Sequence, residues 1–581
     1  IRHIAVSTGI VALLLSYTVF TYQQLFSPYM MASVLLLPVI SLLLFVFSNK
    51  FAKKKAYLAL GISSIVFILL LNLAYIHPLP GAYENILRVF VLVSIATAIS
   101  IFFIYLIGIV SSRHFGVFYT IVLIILASSF AYISMYGFSN ASWNGVDELA
   151  ANYYSAYLSL HGVNPYTTSM QTIYNARQIF PTVLLNGSYE DFYAYPAMSF
   201  IAYIPLVAIG IGSKSLLLFV AVLIFFAITS SSIIYIHSGR DMHMLIPIAI
   251  WLIGCYSLVG VSNALLVSIF LVLAFVYKNR GFASGIFLGI AASVSQLAWF
   301  ALPFFLILTY RSKGKLGMQV LGASASFIAI NVYFFALSPG AFIGSIFSIM
   351  SPNALVFFGQ DIAQFFYAFY PVSQLYISAL SITVLLFSML VYYIYPKSAK
   401  LLLALAPMLI FFVSWRNVSI YGLAYIPLLL AVYYDKSKVK TTDMLKKKYY
   451  IIYGIVAIIA LFSLFAVYSH SVYAAEKTIS INHIYPIIGV SSYGYSMQGF
   501  IANVSSNANH NETVTFYMIS RSPNEEAYML GSLLPKLRAG STMNYTVNFI
   551  LPLVNSNTKV LVFAFSKDYI TSNVITLSKL R

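Results

Sequence analysis

The stretch 143-WNGVDELAANYYSAYLSLHGVNPYTTSM-170 sits between two long apolar blocks and opens on two adjacent carboxylates, Asp147 and Glu148. The chain has only 14 acidic residues, and two more, Glu190 and Asp191, fall in the same interval. Asn144 or Asp147 ahead of a helical run is an ordinary helix start. A carboxylate at a membrane surface beside a cleft can instead act as general base toward a hydroxyl, and partial desolvation would bring it into the working range. Residue spacing alone leaves both open. Further on, Gly162-Val163-Asn164-Pro165-Tyr166 reads as a turn that ends one helix and begins another. The halves 145–161 and 166–180 have helical spacing and are expected to lie along a surface as amphipathic helices.

Composition sets the class around this loop. The 581 residues are 61% hydrophobic and 8% charged, against roughly 25% charged in soluble domains. Apolar runs of ~20 residues can cross a ~30 Å hydrocarbon core, and roughly thirteen or fourteen such runs are visible. The expected fold is therefore a polytopic α-helical membrane protein of about 13–14 spans. Its divisions are N-terminal spans over 1–136, an outer acidic loop over 137–195 and a second membrane region over 196–470. The first residues show no small-residue cleavage site and read as a retained span. The basic loops do not fit strict alternation, and some runs near 196–260 or 299–310 are expected to be broken or re-entrant.

The net charge of +18 follows loop topology rather than a nucleic-acid surface. The segment 49-NKFAKKKA-56, the loops with Lys278, Arg280, Arg311, Lys313, Lys315, Lys397 and Lys400, and 435-DKSKVKTTDMLKKK-448 are expected to be cytoplasmic. That puts 137–195 outside. One cysteine, Cys255, excludes an intramolecular disulfide and a Cys-x-x-Cys metal site. Bis-His haem ligation is disfavoured because the nine histidines fall mostly in loops or near run ends.

After residue 470 Asn, Ser and Thr become frequent and the apolar runs shorten. Segments 513–519, 544–550 and 559–565 are β-rich with turns between them, predicting a small all-β sandwich over 471–581. It follows a strongly basic segment and one more run, so it is expected outside. Sequons at Asn140, Asn186, Asn503, Asn511 and Asn544 agree with that side.

Two further residues carry chemistry. Arg416, in 412-FVSWRNVSIYGLAYIP-427, is flanked by apolar residues. Such an arginine faces a cavity and binds an anion, or snorkels to the interface. Its planar fork suits a phosphate. Asp361, in 351-SPNALVFFGQDIAQFF-366, can pair with Arg416, touch a ligand, or cap the helix after Gly359.

Asp147-Glu148, Tyr153-Tyr154, Gly162-x-Asn164-Pro165-Tyr166 and Tyr195-Pro196-Ala197 together resemble the first large outer loop of the GT-C superfamily, membrane glycosyltransferases that use polyprenyl-phosphate-linked sugars. Segments 338–361 and 407–422 and the trailing β-domain resemble a prokaryotic branch of that superfamily, so the likeness covers 140–581. It departs in two ways: four additional spans precede the loop, and Ser295-Gln296 stand where relatives carry a lysine. The resemblance implies an inverting transferase with Asp147, or its neighbour Glu148, as base. Arg416 would stabilise the departing phosphate, with Gln296 and Asp361 beside the donor. Tyr153, Tyr157, Asn164, Tyr166, Glu190 and Asp191 would line the substrate site, and Trp143 could stack on sugar or lipid. No cofactor is expected beyond the lipid-linked donor, and no metal is assigned. Partners would be membrane lipids and proteins docking on the β-domain. The alternatives are a non-catalytic scaffold or accessory subunit of a membrane complex, and a transporter of lipid-linked sugar.

Overall fold

The computed structural model describes residues 6–7, 9–10, 147–177, 179, 191–211, 217–239, 244–254, 262–348, 358–359, 374–414, 416–417, 420–435, 479–491, 494–509, 511, 514–520, 527–530, 536–552, 559–565 and 570–576. Nearly all of the 1–136 division, the 449–469 run, and Trp143, Glu190 and Asp361 lie outside these residues.

The described residues are mostly helical up to 435 and mostly β from 479. The helices, in order, are α1 Asp147–Leu160, α2 Gln171–Arg177, α3 Met198–Ile201, α4 Ile204–Ala208, α5 Leu217–His237, α6 Leu245–Gly254, α7 Ser262–Val276, α8 Gly281–Val294, α9 Leu302–Arg311, α10 Leu316–Leu337 and α11 Pro339–Ser348. Strand β1 (Phe358–Gly359), α12 (Gln374–Ile394), α13 (Leu402–Phe412), β2 (Arg416–Asn417), α14 (Ile420–Leu423) and α15 (Ile426–Tyr434) follow. Among the described residues, most apolar runs form single helices. The 196–212 run is instead broken into α3 and α4, with Pro205 in the first turn of α4. The 418–434 run is broken in the same way, into α14 and α15 with Pro427 at the second start. A proline fits a helix's first turn, where its missing N–H costs nothing, and not its interior.

Among the described residues, α10 and the Ile377–Ile394 part of α12 are long and apolar enough to cross a membrane. Only 17% of the α10 window is buried, leaving Leu321, Ile328, Val332 and Tyr333 exposed. Its other face is pressed against α8. A Cβ on Gly285 would stand 2.1 Å from the Gln319 carbonyl oxygen, and one on Gly289 2.2 Å from that of Ala323. Small residues thus let two backbones approach, as in helix pairs within lipid. Polar side chains bridge the same seam. Gln319 Nε2 donates to Ser284 Oγ at 3.1 Å and Asn331 Nδ2 to Ser293 Oγ at 2.9 Å. These pairs run in step, so α8 and α10 are parallel and start at the same level.

That register gives the helical region two distinct ends. At one end α7 and α15 begin and α8 finishes; at the other lie the 277–280, 312–315 and 395–401 connections and Asp435. Lys278 Nζ meets Asp435 Oδ2 at 3.1 Å, and His237 Nε2 meets Oδ1 at 3.4 Å, which ties the last residues of α5, α7 and α15 together. The 15-residue α7 separates the two ends by about 22 Å at 1.5 Å per residue.

Helix α1 buries one side: eight of its 14 residues are buried, Asn152 and Ser155 among them, while Tyr157 and Leu160 are exposed. Gly162, at φ +73°, turns the chain just beyond its end.

The C-terminal region contains β3 Ile479–Ser491, β4 Gly494–Ser506, β5 Thr515–Ser520, β6 Ala527–Leu530, β7 Thr542–Pro552, β8 Lys559–Phe565 and β9 Ile570–Thr576. They form two antiparallel sheets ordered β3-β4-β7 and β6-β5-β8-β9. Phe500 and Tyr545 from one sheet and Phe516 and Val562 from the other share one buried core. On the outer face of β3-β4-β7, Asn482, Asn503 and Asn544 form an amide ladder with bonds of 2.8 and 2.6 Å.

Candidate functional site

The two carboxylates that open α1 have different environments. Glu148 is buried, and its Oε1 accepts the backbone N–H of Asn263 at 2.7 Å. Asn263 is the second residue of α7, where N–H groups lack partners within the helix and the helix dipole favours an anion. Oε2 accepts the Tyr195 hydroxyl at 3.2 Å. Burial first, and then the Glu148 charge, push the Tyr195 hydroxyl well above its usual range, so it remains a donor. Asp147 is half-buried, and its Oδ1 accepts the Glu148 backbone N–H at 2.8 Å. The pair therefore begins the helix and also joins it to α7.

Below Glu148 runs a chain of neutral groups. Asn152 Nδ2 donates to Asn263 Oδ1 at 3.1 Å, and Asn152 Oδ1 accepts the Tyr193 hydroxyl. Tyr193 also bonds Ser199, whose hydroxyl donates to the Pro196 carbonyl. Asn331 on α10 completes the frame by accepting the Ala197 N–H at 2.9 Å. Tyr195 was marked by its Tyr-Pro-Ala motif, but none of Asn152, Tyr193, Ser199, Asn263 and Asn331 stood out by motif. The available signal was a lone amide inside an apolar helix, as in 262-SNALLVSIF-270, because a buried amide needs partners.

The remaining candidates divide between structural and exposed positions. Asp191 Oδ1 accepts Ser169 Oγ at 2.6 Å and the Gln171 N–H at 3.3 Å, and so caps α2. Asn164 Oδ1 accepts the Tyr166 N–H at 3.1 Å, capping the short 3-10 turn Pro165–Thr167. Tyr166 is 1% exposed and ringed by Tyr193, Phe200, Phe334 and Phe342, with its hydroxyl on the Tyr195 carbonyl at 2.8 Å. It is a core residue rather than an open stacking platform. Gln296 Nε2 donates to the Ala194 and Ile346 carbonyls at 2.7 and 2.9 Å, so its amide nitrogen joins three segments. Tyr153 lies under the Arg177 guanidinium, 5.7 Å from its ring centre. Tyr157 is 42% exposed and lies against the His161 ring, with centroids 4.2 Å apart.

Arg416 is described through its backbone. Strand β2 pairs in parallel with β1, setting Arg416 opposite Phe358 and Asn417 opposite Gly359. The pairing joins the 412–422 segment to the stretch that leads into Asp361. Strand β2 follows the last turn of α13, at the end where α15 begins. Tyr421, just beyond it, is close enough to Tyr195 to raise its pKa. Among the described residues no group of three or more His, Cys, Asp or Glu could hold a metal ion.

No family model matches the chain, and no curated protein or solved structure matches it.

Proposed function

We propose that the chain is a polytopic membrane glycosyltransferase of GT-C type. It would move a sugar from a polyprenyl-phosphate donor to an extracytoplasmic acceptor, with inversion. The composition and the apolar helices α10 and α12 support the membrane class. Gathering of the 277–280, 312–315 and 395–401 loops, with their cations, at the end remote from Glu148 supports an external acidic loop.

The division of labour within the acid pair carries the catalytic reading. Glu148 is fixed by the α7 N-terminus and Tyr195, while Asp147 sits half exposed one residue away on the same rigid turn. Asp147 is the base in this scheme. It takes the proton of an acceptor hydroxyl, and the oxygen attacks the anomeric carbon. The bond from that carbon to the donor phosphate breaks, and the phosphate leaves with the electron pair. Arg416, in the segment that follows α13, neutralises the departing phosphate, where preorganised charge contributes most. Glu148 acts through Asp147 by fixing its turn.

The bonding of the other candidates favours a second reading, a non-catalytic scaffold. Glu148, Asp191, Asn164 and Gln296 all make bonds that a purely structural role would need. Incubation of purified protein with dolichyl- and undecaprenyl-phosphate carrying radiolabelled mannose or glucose, in the presence of membrane extract as acceptor, separates the two. Transfer that disappears in Asp147→Asn supports the enzyme; no transfer by the wild type with any of these donors supports the scaffold.

A further inference from the structure

The end of the helical region remote from Glu148 carries a surface that the proposed transfer does not use. Besides Lys278, and Lys400 whose Nζ donates to the Val432 carbonyl at 3.2 Å, five cations, Arg280, Arg311, Lys313, Lys315 and Lys397, sit on the loops between α7 and α8, α9 and α10, and α12 and α13, or on the helix turn leading into one. Arg280, Lys313, Lys315 and Lys397 are exposed. The carboxylate described at this end, Asp435, is already engaged by Lys278 and His237. Lys278 itself is buried over the Phe275 ring at 4.1 Å. Among the described residues, Arg280, Lys313 and Lys315 thus form an exposed cationic group, and the described carboxylate at this end is held by other partners.

The rim is also rigidly built. The Gly281 backbone lies so close to Lys315 that an added Cβ would stand 2.7 Å from its carbonyl oxygen. That contact holds the loop bearing Arg280 against the loop bearing Lys313 and Lys315. The guanidinium of Arg280 lies 5.8 Å from the Tyr277 ring centre and that of Arg311 5.3 Å from Tyr393. Tyr310 stacks on Tyr393 with centroids 6.1 Å apart. Tyrosines beside arginines at the ends of apolar helices match the chemistry of a bilayer's headgroup level, where an aromatic ring meets lipid and a cation meets phosphate. Directly along the chain from Lys315 runs α10, the less buried of the two long apolar helices.

We propose that this rim binds the headgroups of anionic phospholipids, with Arg280, Lys313 and Lys315 meeting the phosphate and the tyrosines seated among the upper acyl chains. The inference rests on the membrane reading above but not on the transfer reaction. Charge complementarity carries it: the surface is cationic, fixed and adjacent to lipid-facing helix.

The test takes two measurements on the full chain. Reconstitution into vesicles followed by an alkaline carbonate wash asks whether the protein is integral. Native mass spectrometry of detergent-purified protein, with equimolar phosphatidylglycerol and phosphatidylcholine, then asks which lipid is retained. Retention of phosphatidylglycerol over phosphatidylcholine by about tenfold is expected. The preference should fall to near parity in Arg280→Gln/Lys313→Gln/Lys315→Gln. It should survive in the charge-conserving Arg280→Lys/Lys313→Arg/Lys315→Arg, and in the control Lys536→Gln/Arg538→Gln within the β-domain. Equal retention of both lipids by an integral wild type overturns the proposal, as does an unchanged preference in the triple Gln variant. Release of the protein by carbonate instead overturns the membrane reading, and this proposal with it.

Discussion

Glu148 Oε1 accepts the backbone N–H of Asn263 at 2.7 Å, joining the first turn of α1 to the first turn of α7 across 115 residues of sequence. A buried acid that serves as another helix's N-terminal partner is a structural anchor whatever its neighbour does. Replacing Glu148 by Ala leaves the Asn263 N–H and the Tyr195 hydroxyl without this acceptor. The expected cost is on the order of 2 kcal/mol. It should appear as a clear fall in thermal midpoint of the detergent-purified protein, with Glu148→Gln intermediate because it keeps an acceptor oxygen. An unchanged midpoint in Glu148→Ala would remove the anchor.

The α8–α10 seam predicts a contrast between glycines. Gly285→Ala drives a Cβ toward backbone atoms of α10 at 2.1 Å, whereas nothing lies within 4 Å of a Cβ on Gly344 of α11. Overpacking of this kind costs roughly 1–3 kcal/mol or more, while Gly344→Ala should be neutral or slightly stabilising. Equal thermal midpoints for the two variants would show that the seam is looser than its geometry.

What the sequence disclosed follows from which signals are local. Apolar length marked α5, α7, α10 and α12 because one helix carries the whole signal. Alternation with turn residues marked β5, β7 and β8 for the same reason. The buried side of α1 carries Asn152 and Ser155, whose burial no local pattern announced. Their partners are Asn263 and Met170, and the first lies 111 residues away. The acid pair was legible as a pair, but its division was not, since Asn263 and Tyr195 decide it. Asn164 and Tyr166 were legible as a turn and proved to be a cap and a core ring.

The β-domain core predicts alkaline sensitivity. Burial raises the Tyr545 hydroxyl from 10.0 to about 12. The folded state therefore holds a proton that the unfolded chain releases above pH 10. Its contribution to stability is intact below pH 10 and is lost as pH rises toward 12. Tyr545→Phe should flatten this part of the profile, read by near-ultraviolet circular dichroism between pH 8 and 12. Parallel profiles for wild type and variant would assign the alkaline loss to other groups.

Membrane orientation can be read with single cysteines in a chain whose Cys255 is replaced by Ser. Val163 is 41% exposed and Tyr485 58% exposed, so cysteines there are accessible, unlike one at the buried Met170. Val163→Cys and Tyr485→Cys should both react with an impermeant maleimide from outside the cell. Lys313→Cys should react only after permeabilisation. Labelling of Val163→Cys and Lys313→Cys from the same side would end the two-ended arrangement across a bilayer.

The decisive contrast lies within the acid pair. If Asp147 is the base, Asp147→Asn should lower transfer by about 10²–10⁴-fold with little change in thermal midpoint, because an amide oxygen can still accept the Glu148 N–H. Glu148→Gln should do the reverse, lowering the midpoint more than the transfer rate. Arg416→Lys adds the donor side: it keeps the charge and loses the bidentate fork, so transfer should fall while the fold is retained. The three variants are compared by initial rate with a lipid-phosphate-linked radiolabelled sugar and by thermal midpoint. Near-normal transfer in Asp147→Asn would leave Asp147 as a helix-start residue and return the base to Glu148, Glu190 or Asp191. Loss of transfer in Asp147→Asn together with an equal loss of stability would instead make the pair a single structural unit.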